Sequence, residues 1–157
     1  LSTAPEKGRG EYGVLGGVLF LTMFILSGLD FRFGWSRMPL KLSIIATVIM
    51  LAGFLMFVVV INQNRYAARV IDVFDNQKLI SDGLYSIIRH PMYLASLLVF
   101  IPMPFVLGSY YALGAIMFYP LILIKRIKTE EAFLAKELEG YSEYMNKVKH
   151  RLLPYIW

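Results

Sequence analysis

From Met92 to Ile124 the chain runs without one charged residue, and no other feature restricts its fold as much. A helix rises about 1.5 Å per residue, so this run is too long for one crossing of a hydrocarbon core roughly 30 Å thick and too short for two comfortable ones. Its break falls near Pro102, Pro104, Gly108 and Ser109, where two prolines remove helix donors and Gly-Ser permits a turn. The expectation is a helical hairpin over 93–107 and 110–136, the second helix leaving the apolar layer at Lys125. Two further uncharged blocks, Tyr12–Leu29 and Leu42–Ile61, are each of single-crossing length. With 57% apolar and only 17% charged residues in 157 positions, the chain is too hydrophobic for a soluble domain of its size. The fold class is therefore all-α: an integral membrane helical bundle with membrane helices over 12–29, 42–61, 92–107 and 110–124, and a C-terminal helical cap. Neither repeats nor low-complexity tracts interrupt it, so 1–157 reads as one domain.

The first block follows Lys7 and Arg9, as the apolar region of a cleaved signal peptide would. No Ala-x-Ala site comes after it, and Gly13 and Gly17 have the small-xxx-small spacing of packed membrane helices. It reads as a retained span. Of the 16 Lys and Arg residues, 13 lie before the first block, between the second and third, or from Lys125 onward. By the positive-inside rule both termini are then cytoplasmic, in a multi-pass protein of the cell membrane, with 76–93 and 125–157 on the same side. Anionic headgroups account for the net charge of +5, so it implies no nucleic-acid partner.

Cysteine is absent, which removes disulfides, thiolate zinc sites and thiol nucleophiles together. His90 and His150 lack a metal-ligand spacing, and no His-Glu-x-x-His, Gly-x-Ser-x-Gly, P-loop or Gly-x-Gly-x-x-Gly stretch occurs. The chemistry-bearing residues are instead polar ones at the ends of apolar runs. Arg126 and Glu130 are four apart on one helix face with Glu131 adjacent, while Ile127, Phe133, Leu134 and Leu138 form an apolar stripe. Taken alone, these charges suit an interfacial helix in solvent. Likewise Arg89 suits a snorkelling cation, and His90-Pro91 a helix start at which proline wastes no donor.

The combination is more specific. Lys78-Leu79-Ile80, Gly83, Tyr85 and Arg89-His90-Pro91-Met92-Tyr93 are followed, after the hairpin, by Arg126, Glu130-Glu131 and Leu134. Gly140-Tyr141, Tyr144, Val148 and Leu153-Pro154 complete the set. Over roughly 76–157, and only weakly before, this resembles the isoprenylcysteine carboxyl methyltransferase family and its phospholipid-methylating relatives. The resemblance implies S-adenosylmethionine as cofactor, bound by Gln77, Lys78, Leu79, Ile80, Tyr85, His90, Pro91, Met92, Tyr93 and Glu130. It places Arg126 beside a lipidic or prenylated acceptor and implies no metal. His90 then serves as a hydrogen-bond partner, not a base. Glu131 matters less than Glu130 if it faces solvent. The acceptor implied is a membrane-embedded carboxylate such as a prenyl-cysteine, with a phospholipid amine as the alternative. Membrane sterol reductases that use NADPH carry a similar His-Pro-x-Tyr stretch, but with Asn typical where this chain has Met92. A non-catalytic scaffold would bind no cofactor.

Overall fold

A computed structural model of the chain describes residues 2–3, 6–64, 72–73, 79–154 and 156–157. Helix α1 (Glu6–Phe33) and α2 (Leu40–Gln63) are the first two spans. A short 3-10 turn at Gly83–Ser86 leads into α3 (Pro91–Phe100), α4 (Met103–Val106), α5 (Tyr110–Ile116), α6 (Tyr119–Glu137) and α7 (Tyr141–Lys147). Apart from a two-residue antiparallel pairing of β1 (Ser2–Thr3) with β2 (Asp72–Val73), the regular structure described is helical. Three helical stretches are long and apolar enough to cross a membrane: Gly10–Phe33, Leu40–Gln63 and Tyr110–Glu137; Pro91–Val106 is a shorter apolar stretch. The chain is thus a multi-pass membrane helical bundle.

Proline chemistry explains where the apolar run divides. Pro102 and Pro104 end α3 and restart the chain as α4, because each ring removes a donor and crowds the carbonyl four residues earlier. The turn falls at Gly108, φ 78°, and at Ser109, whose hydroxyl caps α5 by accepting from the Ala112 N–H at 3.2 Å. The second helix of the hairpin is not continuous over 110–136 as expected. It breaks at Met117–Phe118, since Pro120 can enter only the first turn of a new helix, α6.

Helix α2 packs along α3 and α4, and α1 packs along α5 and α6. The α2–α3 crossing is close at Gly53, where a Cβ would come within 2.9 Å of Leu98 Cβ and Val99 Cγ2. At one end of the bundle, buried Asp30 accepts from the Ser109 hydroxyl at 2.5 Å and from the Ser36 N–H at 2.6 Å, and the Ser36 hydroxyl accepts from the Tyr110 N–H at 3.2 Å. The hairpin turn therefore reaches the same level as the α1–α2 loop. At the other end, Val60, Tyr85, Leu138, Tyr141, Tyr144 and Val148 form a core that seats α7 on the bundle. The Tyr144 hydroxyl donates to the Tyr85 carbonyl at 2.6 Å. Gly83 has φ 57° and lies against the Gln63 side chain, whose Oε1 accepts from the Leu84 N–H at 3.1 Å. The last residue of α2 thereby fixes the turn leading to Arg89 and His90.

Candidate active site

His90 precedes a proline and cannot be helical, so it takes φ −125°, ψ 61° as the N-cap of α3 with Pro91 in the first turn. The N–H groups of Arg89 and His90 are left outside the helix and donate to the carbonyls of His150 and Arg151, each at 2.9 Å. The segment after α7 is thus stapled to the Arg-His pair. Arg89 does not snorkel outward. Its side chain is buried and donates through Nη1 to the carbonyls of Val148 at 2.7 Å, Met145 at 3.3 Å and Lys149 at 3.3 Å. These are carbonyls at and just beyond the end of α7, which lack partners within that helix.

Arg89 Nε donates to Glu131 Oε1 at 2.6 Å, and His90 Nε2 lies 3.2 Å from the same oxygen. Arg151 Nε donates to Glu131 Oε2 at 2.7 Å. A solvent-facing Glu131 is therefore excluded: the residue is 5% exposed and is the hub of the junction. Two adjacent residues on a helix point about 100° apart, and α6 is covered here on both sides. Glu130 turns instead toward α3 and accepts from the Tyr93 hydroxyl at 2.6 Å. It does not pair with Arg126; among the described residues the ion pairs all involve Glu131. The Arg126 guanidinium lies 5.5 Å from the Tyr93 ring centroid, a cation–π distance. Its Nε is buried and has no hydrogen-bond partner among the described residues.

The other residues singled out in the sequence divide as follows. Leu79, Ile80 and Met92 pack against the core that contains Tyr85, Tyr141 and Tyr144. Burial pushes the Tyr85 phenol up to about 12, the Glu130 carboxylate adding to the rise and a hydrogen bond with Asn64 opposing it. Burial and then the Glu131 and Glu130 carboxylates likewise raise Tyr141. The His90 ring centroid lies 5.6 Å from that of Tyr93, but the His90 side chain bonds to Glu131 and not to Glu130. Gln77 and Lys78 lie outside the described residues. Arg89, Glu131 and Arg151 form the junction and Tyr141 the core beside it, although the sequence reading placed none of them among the site residues. The Glu130-Glu131 doublet was the available signal, since one member of such a pair must turn away from the face of the other.

Among the described residues, no group of three His, Asp or Glu side chains is arranged to hold a metal ion. What the fold and junction define is a multi-pass membrane protein with a buried ionic junction and an aromatic core at one end of the bundle. The model of the isoprenylcysteine carboxyl methyltransferase family matches residues 44–136. The chain belongs to that family, which places it among membrane methyltransferases. The match reaches further back into α2 than the motifs suggested and ends before Gly140, so α7 and the following segment lie beyond it. No curated protein matches the chain.

Proposed function

We propose that the protein transfers a methyl group from S-adenosylmethionine to a membrane-embedded carboxylate, that of a prenylated cysteine. The observation that carries this reading is Arg126. It lies two residues past the end of the apolar run, and its buried Nε has no hydrogen-bond partner among the described residues, the neighbouring Glu130 bonding instead to Tyr93. A buried donor without an acceptor costs about 1 to 3 kcal/mol, and an anionic acceptor arriving from the lipid side would relieve that cost.

The residues present also fit the cofactor. Glu130 has one oxygen occupied by Tyr93 and can accept from ribose hydroxyls or an ammonium group with the other. Leu79, Ile80, Tyr85 and Met92 offer a wall for an adenine ring, with Gln77 and Lys78 assigned to the same pocket by family likeness. His90 and Pro91 orient the wall by starting α3. When bound, the cofactor supplies a sulfonium methyl. Arg126 would hold the acceptor carboxylate through its forked donors. Such an acceptor is already anionic, so no residue has to remove a proton. Alignment in a partly dehydrated site is then the main task of the chain.

Residues 1–11, which precede the first apolar block, 62–91 and 125–157 carry 13 of the 16 cations. We place them on the cytoplasmic side of the cell membrane, where the cofactor is available, and read the chain as one domain. Purified protein in mixed micelles, given labelled S-adenosylmethionine with either a farnesylated cysteine or phosphatidylethanolamine, tests the proposal. Label in a base-labile ester of the prenyl-cysteine is the expected result. Label in the amine lipid would move the chain to the phospholipid-methylating branch. Binding of NADPH without S-adenosylhomocysteine would reject methyl transfer.

A further inference from the structure

We infer that Glu131 is a positioning residue for this site, and that through Arg151 it makes the segment after α7 part of the cofactor-binding structure; the inference rests on the cofactor reading above. The Glu131 carboxylate divides its oxygens between two parts of the chain: Oε1 serves Arg89 and His90 at the start of α3, and Oε2 serves Arg151. The side chains of Arg89 and Glu131 are each 6% exposed, and that of Arg151 is 32% exposed. Arg151 also organises the segment around itself. Its guanidinium lies 5.2 Å from the Trp157 ring centroid, and the Trp157 carbonyl accepts from the N–H groups of Arg151, Leu152 and Leu153 at 3.0, 3.0 and 3.2 Å. The segment is folded back against the Arg-His pair with the Glu131–Arg151 bond as its side-chain anchor.

This arrangement bears on the site because Glu131 directly follows Glu130, while His90 is three residues from Tyr93. Anchoring Glu131 to His90 therefore sets the separation of Glu130 from Tyr93, which share a 2.6 Å hydrogen bond. Packing alone does not explain the cluster. Apolar residues of similar volume often stabilise a core as well as buried ion pairs or better, whereas ion pairs impose a definite register. The arrangement thus assigns the segment after α7 to cofactor affinity, not to acceptor affinity.

Glu131→Gln would strand two guanidiniums and risks misfolding, so the informative variant is Arg151→Gln in a Trp35→Phe background. There Trp157 is the sole tryptophan. Its emission should shift to the red as the segment loosens, calorimetric affinity for S-adenosylhomocysteine should fall about tenfold, and KM should rise for the cofactor but not for the acceptor. Arg151→Lys should recover most of the affinity. A red shift with unchanged S-adenosylhomocysteine affinity, an equal rise in both KM values, or no red shift would each overturn the inference while leaving the proposed function standing. Failure of the unmodified protein to bind S-adenosylhomocysteine would overturn both.

Discussion

Replacing Arg126 by Lys separates acceptor recognition from cofactor recognition, and the structure gives the size of each effect. The substitution keeps the positive charge but removes the Nε–H that is buried without a partner. Without acceptor, that removal relieves about 1 to 3 kcal/mol of desolvation. Against it stands the guanidinium over the Tyr93 ring at 5.5 Å, a contact worth roughly 0.5 to 2 kcal/mol that an ammonium partly reproduces. The ligand-free variant should therefore melt no lower than the original protein in the same detergent. With acceptor bound the sign reverses. Lys cannot supply two parallel donors, and losing one charge-assisted bond costs about 1.5 to 3 kcal/mol, a fall of roughly one to two decades in kcat/KM for the acceptor. Affinity for S-adenosylhomocysteine should stay within about twofold, since Glu130 bonds to Tyr93 and not to Arg126. The assay is acceptor-varied turnover at saturating S-adenosylmethionine, alongside calorimetry and thermal unfolding on the same preparations. Parallel losses of turnover and S-adenosylhomocysteine affinity would refute the assignment and make Arg126 a support for the cofactor pocket.

Tyr93→Phe keeps the ring under Arg126 but frees Glu130, so S-adenosylhomocysteine affinity should drop by about 0.5 to 1.5 kcal/mol, the ordering cost of one flexible side chain. Glu130→Ala should lose more, and a larger loss in Tyr93→Phe would show that the hydroxyl itself contacts the ligand. Gly53→Leu should destabilise the bundle by roughly 1 to 3 kcal/mol through overpacking, because the backbone of Leu98 lies 3.0 Å from the added Cβ. Gly17→Leu, with nothing within 4 Å of its Cβ, should leave the melting temperature unchanged; equal effects at the two sites would contradict the helix packing. Tyr85 has a folded-state pKa raised to about 12 by burial, so its neutral form is favoured by the fold. Its contribution, roughly 2 to 3 kcal/mol, is complete below about pH 10 and is lost as pH rises from there through 12. Circular dichroism with tyrosinate absorbance should show helix loss in that window, less steep in Tyr85→Phe; identical profiles would count against a buried phenol.

The junction also shows how a membrane protein can keep several charges buried at the end of its bundle. One carboxylate faces two guanidiniums and an imidazole, so the cluster carries an excess of positive charge close to Glu130 and to the site proposed for an anionic acceptor. The buried donors of Arg89 are matched by carbonyls at the end of α7, which satisfies helix end and cation together. Among the described residues, the Arg126 Nε alone departs from this pattern, two residues past the end of the apolar run.

Membrane character, an all-helical bundle, the hairpin turn at Gly108 and Ser109, and the start of α3 at Pro91 were all legible in the sequence. These depend on local quantities: the length of an uncharged run, the missing donor of proline, the permissive backbone of glycine. The break before α6, at Pro120, was not anticipated, since apolar continuity suggested one helix over 110–136. The family resemblance was carried by motif spacing. The chain by itself did not determine which of two adjacent glutamates is buried, that Arg89 points inward, or that the segment after α7 supplies its partners. Arg89 meets Glu131 across 42 positions and Val148 across 59. A charge is stable in a buried position only if its compensating partners arrive there as well, and their arrival depends on how α6 and α7 dock, not on the residues beside it in the chain.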